Sequence, residues 1–516
     1  VTPTAGADAI IIGGGHNGLV AAAYLARAGR QVMVFEARRH LGGAVVSEQV
    51  FDGVPARLSR FAYLVSLLPD KIINDLNLHV ELRSRPIASY TPVSTGGLIF
   101  DRKGSEASRA SFAEITGSEE EYGRWRSLAA ELRGVAEVVA PTLTGPLPRA
   151  AAVRDQLGTQ LWTALVERPI GELLEDCLSN DTVRGVVATD ALIGTLASTN
   201  DPARKQNRCF LYHVVGNGSG EWKVPVGGMG HVASELAHAA SDAGAASCTG
   251  VRVSGIEPDP LGGGTVALAN GSRYRAPFLL ANCAPAVLQE LLGHQPITPD
   301  GCQTKINLVV RRLPRFRSGI DPTIGFAGTL HLGQGYRRLQ EAYREAVAGR
   351  IPDPLPCEVY CHTLTDPSIL SAELREAGYH TLGLFGLHTP IHLFVDDPAG
   401  ARERVKNAAF HALQAVLAEP VEDSLATDGA GRPCVEVLTP LDIEAELAMP
   451  GGHIFHGDLE WPWLADDAVV RTAEESWGVA TGYPGIFYSG SGAVRGGAVS
   501  GIGGHNAAHA VLESAA

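Results

Sequence analysis

The stretch Ala7–Gly18, A-D-A-I-I-I-G-G-G-H-N-G, constrains this chain more than any other. Gly13, Gly15 and Gly18 fit G-x-G-x-x-G between a strand predicted over Ala9–Ile12 and a helix predicted over Asn17–Ala28. A second strand is predicted over Gln31–Phe35, with Glu36 at its end. Strand, glycine turn, helix, strand and acid in that order mark a dinucleotide site. Gly13 allows the tight turn, Gly15 lets a pyrophosphate reach the backbone, and Gly18 lets helix and strand pack closely. His16 and Asn17 stand where the helix start turns unpaired N–H groups toward phosphate. Glu36 can accept both ribose hydroxyls of an adenosine.

At 516 residues the chain has length for two or three domains. A hydrophobic share of 45% and a charged share of 19% are those of a globular protein, and a net charge of −14 without any basic run argues against nucleic acid. The first apolar stretch is read as a strand and not as a signal peptide, which points to the cytoplasm. The longest apolar candidate, Thr381–Val395, is broken by Pro390 and two histidines, so no membrane-spanning segment is expected. Eight scattered cysteines without a C-x-x-C pair read as small core residues in a reducing compartment.

Glycines recur where backbone can approach a ligand. Gly42 and Gly43 follow Glu36, Ala37 and Arg38; Gly227, Gly228 and Gly230 precede a helix; the glycine-dense Gly485–Leu512 leads from a strand, Ile486–Ser489, into a helix from about Ser500. Gly117–Ala140 and Ile170–Ala197 have helical spacing and read as a helical layer, and Gly145–Arg154 reads as a surface connection. A strand is expected near Val251–Ile256, then a hairpin of Gly264–Ala269 and Tyr274–Leu280 around Asn270-Gly271. Lys305–Arg311 and Pro356–Leu364 read as strands of a larger mixed sheet. Backbone approach near residues 13, 43, 228 and 501 suits an extended ligand such as FAD better than a compact nicotinamide.

These motifs resemble the FAD-dependent oxidoreductases of the phytoene desaturase-like family, and most closely the proteins named for a pyridine nucleotide-disulphide oxidoreductase domain. The likeness runs over nearly the whole chain: residues 13–29, 36–44, 59–68, 189–198, 226–230, K-I-N-L (305–308), L-T-P-L-D-I-E (438–444), G-G-H-I-F-H-G-D-L (451–459) and the last glycine block. It implies an α/β fold: a Rossmann-type FAD-binding domain of the amine oxidase and phytoene desaturase type, from residues 1–75, 221–300 and 465–516. Residues 76–220 and 301–464 would form a mixed-sheet plus helical substrate domain. Gly13, Gly15 and Gly18 would hold pyrophosphate, Glu36 the ribose, Arg38 the nucleotide, and Gly42 and Gly43 phosphate or ribityl. Val251 would pair its backbone with adenine. Gly490, Ser491, Val499, Ser500, Gly501 and Ile502 would hold the ribityl chain and flavin edge. Many relatives of the wider fold carry an acid where this chain has Ser491. A disulphide reductase is disfavoured, because no cysteine lies between Gly13 and Asp176.

The implied function is hydride transfer between flavin N5 and a small apolar substrate, isoprenoid, polyene or lipid-like, as in a dehydrogenase or desaturase. Peripheral contact with a membrane is compatible with such a substrate. The alternatives are an amine oxidase-like enzyme, for which Trp461 and Trp463 offer an aromatic pair, and a non-catalytic prenyl- or lipid-binding escort. Side-chain candidates for chemistry are His453, His456, Arg495 and Tyr63. His453 and His456 flank I-F, read as a strand that splits them onto two faces, and without a third ligand no metal site is expected. Tyr63 and Ser66 could line the flavin face. His505 reads as a packing or capping residue.

Overall fold

Strands Ala9–Ile12 and Val32–Glu36 are buried at every residue, as a parallel sheet covered on both faces requires. In this computed structural model, which describes residues 6–94, 96–101 and 104–515, they form the centre of a five-stranded parallel sheet. Its order is Ile486–Tyr488, Phe278–Ala281, Ala9–Ile12, Val32–Glu36, Ala246–Thr249. The edge strand Ala246–Thr249 lies ahead of the expected Val251–Ile256; A-S-C-T carries no apolar signal because an edge strand is half exposed. Val253–Pro258 instead joins a small antiparallel sheet with Gly264–Leu268 and Arg273–Ala276. The expected second arm of that hairpin ends at Ala276, because Pro277 has no N–H for the ladder; Phe278–Ala281 returns to the parallel sheet.

Helices His16–Arg27, Met229–Asp242 and Ile502–Ser514 cover the parallel sheet. The first and last of these meet backbone to backbone. A Cβ on Gly504 would stand 1.9 Å from the Asn17 carbonyl oxygen.

The second sheet has seven strands, in the order Val435–Leu438, Thr304–Val310, His380–Gly386, Cys357–Tyr360, Thr329–Leu332, Ser89–Val93, Gly96–Phe100. Its neighbours are antiparallel except Thr329–Leu332 beside Ser89–Val93. Strand alternation and register give it unlike faces. Ile306, Leu308, Leu330, Val359, Leu382 and Leu384 share one face and pack on Val405, Ala409 and Leu413 of helix Pro398–Val416. Thr91, His331, Glu358, Tyr360, Lys305 and Asn307 share the other, buried and polar. That face is roofed by a helical layer that includes Glu120–Val139, Ile170–Cys177, Asp181–Thr189 and Lys205–Val215.

Two expectations change here. Gly145–Arg154 is not a loose surface connection: Ala150–Leu157 is a helix, and buried Leu147 donates its N–H to the Ser476 carbonyl at 2.7 Å. Pro356–Leu364 is a strand only over Cys357–Tyr360; His362–Leu364 turns out of it.

Because a Cβ on Gly504 would press into the Asn17 carbonyl of the neighbouring helix, Gly504→Ala is expected to destabilise the protein by about 1–3 kcal/mol, the usual range for overpacking. A thermal melting midpoint equal to that of the parent protein would contradict the tightness of that contact.

Candidate active site

The glycine turn opens into a groove of about 190 Å³ lined by Gly13, Gly15, His16, Asn17, Glu36, Ala37, Arg38, Gly43, Val251, Ser491 and His456. Gly13 takes a left-handed φ of 102°, and helix His16–Arg27 starts directly after Gly15, so its first N–H groups face the groove. The Glu36 carboxylate is braced from both sides: the Gly14 N–H donates to Oε2 at 2.7 Å and the Arg38 N–H to Oε1 at 2.7 Å. Arg38 also lines the groove, its Nη1 donating to the Gly43 carbonyl at 3.3 Å.

Other predicted residues shape the groove without lining it. A Cβ on Gly18 would lie 2.4 Å from the Gly13 carbonyl oxygen and 2.7 Å from Asn282 Nδ2. Gly42 has φ 113°, donates to the Gly14 carbonyl, and leaves only 2.7 Å between a Cβ and the Val45 oxygen. A Cβ on Gly490 would meet the Asn282 backbone at 3.0 Å. Ser500, Gly501 and Ile502 form the cap of helix Ile502–Ser514: Gly501 is left-handed and Ser500 Oγ accepts the Ile502 N–H at 3.2 Å. Neither they nor Val499 line this groove. Val251 is corrected in part, since its N–H already donates to the Glu36 carbonyl at 2.9 Å; only its carbonyl remains for an adenine.

The histidine segment is a turn, not a strand. Gly451 and Gly452 take positive φ, and so does His456 at 65°. His453 folds back on its own backbone, Nδ1 accepting the N–H groups of Phe455 and Gly457 at 3.3 Å each. His456 points the other way, into the groove, with Nδ1 buried and unpartnered. His16 donates from Nε2 to the Ala498 carbonyl at 3.1 Å. Burial pushes His16 and His453 down to about 4 and His456 to about 3, His456 also because His453 and His16 lie close. All three are neutral at pH 7.

Arg495 is removed from the list of candidates for chemistry. Its guanidinium is buried and donates to the carbonyls of Thr142, Gly145 and Trp477 at 2.7, 2.8 and 2.9 Å. It ties the C-terminal glycine loop to the helical layer and lines neither cavity. Trp461 and Trp463 stack 5.1 Å apart and Trp463 packs on Trp162, so they form no cage at either cavity. Ser66 is buried with its hydroxyl unpartnered and lines neither cavity. His505 bonds Asn506 at 2.9 Å and meets the Tyr24 ring edge-on, a packing role.

Tyr63 lines a second cavity, of about 540 Å³, between the helical layer and the polar face of the seven-stranded sheet. Phe100, Trp125, Leu132, Val186, Phe210 and Trp222 supply apolar wall, and His331, Glu358 and Tyr360 the floor. One hydrogen bond links the linings of the two cavities: Ala44 lines the groove, the Ala62 N–H donates to the Ala44 carbonyl at 3.2 Å, and Tyr63, next to Ala62, lines the larger cavity. Lys305 stands beside that link. Its amine donates to the carbonyls of Ser59 and Phe61 at 2.5 and 2.9 Å, lies 4.7 Å from the Tyr63 ring centroid, and is pushed by burial down to about 7.

Sequence reasoning gave no role to Lys305, Asn282, His331 or Glu358. The signal for Lys305 and Asn307 was present, since two polar residues alternate with apolar ones in K-I-N-L. Asn282 follows strand Phe278–Ala281, and its Nδ2 donates to the Gly13 carbonyl at 2.9 Å. Among the described residues, no group of three or more His, Cys, Asp or Glu converges on a metal-sized space, and no helix is long and apolar enough to cross a membrane. All eight cysteines are free; Cys283, which lines the groove, is pushed by burial up to about 12 and stays a thiol.

The buried histidines make stability depend on acid. Their folded pKa values lie below the unfolded value near 6.5, so the unfolded state binds more protons and the fold loses stability as pH falls from about 6.5 toward 4, by about 1.4 kcal/mol per pH unit for each histidine. His456→Phe is expected to flatten that slope by about one histidine's share in denaturation midpoints measured between pH 7 and 5; an unchanged slope would show that His456 already carries a proton.

Residues 11–70 match the NAD(P)-binding Rossmann-like domain family. Cyclohexylamine oxidase from Brevibacterium oxydans superposes with a TM-score of 0.55 at 17% identity, covering 99% of both chains, which shows a shared fold. An uncharacterized protein of Mycobacterium tuberculosis is 48% identical over 98% of this chain and 97% of its own length. The mouse pyridine nucleotide-disulfide oxidoreductase domain-containing protein 2 is 30% identical over 98% of this chain and 93% of its own. With the Rossmann turn, the mixed second sheet and similarity along the whole length, this chain belongs to the oxidoreductase family named for the pyridine nucleotide-disulphide oxidoreductase domain.

Proposed function

We propose that the groove holds FAD and that the protein dehydrogenates an apolar substrate, isoprenoid, polyene or lipid-like, seated in the larger cavity. The observation that carries this reading is the link through Ala44, Ala62 and Tyr63, which joins the lining of a glycine-lined groove suited to a dinucleotide to that of a cavity with aromatic and aliphatic side chains. The donor set fits the cofactor: bare backbone at Gly13 and Gly15 for pyrophosphate, a braced Glu36 for the ribose, and an unpartnered ring nitrogen on His456 for a further acceptor or donor. Bound flavin supplies a two-electron acceptor for a substrate C–H bond.

The chain's own residues do the rest. The helical layer covers one side of the cavity, and Tyr63 and Tyr360, with ring centroids 4.7 Å apart, hold each other at its edge. Lys305, buried with a pKa near neutrality, can take up or release a proton beside Tyr63 without a large change in pH. An amine oxidase-like reaction is the second reading; the Tyr63–Tyr360 pair, not the tryptophans, is the feature that favours it. A pure escort has no need of the intact glycine turn and Glu36.

Purified protein is expected to be yellow, with flavin absorbance that bleaches anaerobically on addition of an apolar substrate. Gly15→Val, which puts a side chain into the groove, is expected to weaken FAD binding by about tenfold or more, read as flavin retained on gel filtration. A colourless parent protein that takes up no added FAD would remove the proposal. In the active enzyme, rate against pH is expected to inflect near 7 and Lys305→Met to abolish that inflection; a profile that keeps it would assign the titration to another group.

A further inference from the structure

The floor of the larger cavity is polar where a buried sheet face is ordinarily apolar. His331 and Glu358 are direct cross-strand partners, and only 6% and 3% of their surfaces are exposed. His331 Nε2 faces Glu358 Oε1 at 3.4 Å, and the Thr91 hydroxyl lies 3.2 Å from His331 Nδ1. Tyr360 donates its hydroxyl to Glu358 Oε2. The chain Thr91–His331–Glu358–Tyr360 is thus continuous across three neighbouring strands. Its last three members line the cavity, with Tyr63 against the Tyr360 ring. The network contributes nothing to the core below, because the opposite sheet face already packs on helix Pro398–Val416. A wholly hydrocarbon ligand would strip water from these groups and give them nothing in return.

We infer that the cavity selects a substrate with an apolar body and one uncharged hydrogen-bond-donating head, a hydroxyl, and that His331, Glu358 and Tyr360 form the seat of that head. This rests on the reading of the larger cavity as the substrate site. Three observations carry it. The apolar side chains and the polar floor line one and the same space, so a single molecule meets both. The floor keeps acceptors to spare: the Tyr360 hydroxyl and the imidazole N–H are engaged with Glu358, which leaves carboxylate lone pairs and the phenol oxygen for an incoming O–H. Charges of both signs stand around it: the Arg85 guanidinium lies 5.7 Å from the centre of the Tyr360 ring that binds Glu358, and Asp101, Arg126, Arg133, Glu137, Asp190 and Glu221 also line the space. A carboxylate head would be set against Glu358 and an ammonium head against Arg85, each an added charge in a buried place. A neutral head adds none.

The test uses the full chain and four C10 probes that differ only in the head: 1-decanol, n-decane, decanoate and decylamine. Binding is read from the fluorescence of Trp125 and Trp222 in the cavity wall. The expected result is decanol binding about tenfold or more tighter than each of the others. Glu358→Gln, which keeps size and shape, is expected to erase most of that preference while leaving bound flavin and the melting midpoint unchanged. His331→Gln serves as the second variant, with the same expectation, if Glu358→Gln does not fold. Decane binding as well as decanol would leave the cavity as an apolar site and overturn the seat. Tighter binding of decanoate or decylamine would overturn the neutral head, and an undiminished preference in both variants would place the head elsewhere. Binding of none of the four would sink the cavity reading itself, and the seat with it.

Discussion

The structure depends on the alignment of three strand ends that are far apart in sequence. Ile12, Asn282 and Ser489 lie side by side: the Asn282 N–H donates to the Ile12 carbonyl at 3.0 Å, and the Ser489 N–H to the Ala281 carbonyl at 2.9 Å. Asn282 then reaches across to bond the Gly13 carbonyl at 2.9 Å. One amide side chain thereby sits beneath the glycine turn, while the backbone of the same residue abuts Gly490. Every later feature of the groove inherits this register. The first helix points into the groove because Gly13 is held, and the C-terminal loop crosses beside it because Gly490 abuts Asn282.

From that anchor the chain builds two cavities with opposed chemistry. The groove is lined by backbone because Gly13 holds a left-handed φ that disfavours a side chain and close packing at Gly18 and Gly42 leaves no room for a Cβ. The larger cavity is lined by side chains because a helical roof spans a sheet whose upper face is polar. Ala44 lines the one and Tyr63 the other, and Lys305 holds the Ser59 and Phe61 carbonyls in place beside Tyr63. Position, not an isolated reactive residue, gives Lys305 its character: an amine that would sit fully charged in water is buried here against the Tyr63 ring.

Much of the groove was legible in the linear order of residues. Gly13, Gly15, Glu36, Arg38 and Gly43 are close in sequence and their pattern follows from local geometry, so motif and structure place them together. Residues brought in from a distance were harder to read. His456 carried a weak signal as half of a histidine pair. Its left-handed backbone, which turns it away from His453 and into the groove, comes from the preceding glycine turn and its packing on Pro299 and Pro440. Arg495 misled for the same reason. A loop arginine is read as exposed or ligand-facing, yet here three carbonyls from other segments capture it.

The sequence by itself determined the Rossmann unit and the order of helix and strand around it, because apolar runs, glycines and prolines act within a few residues of themselves. It also determined the amphipathic character of K-I-N-L. What only the tertiary structure decided is which face of the seven-stranded sheet meets which neighbour. Thr91, His331, Glu358 and Tyr360 come from three strands, two of them more than two hundred residues from the first. Alone, each reads as a surface polar residue. Parallel and antiparallel pairing in one register sets them on one face, and the helical roof then buries that face as the floor of a cavity.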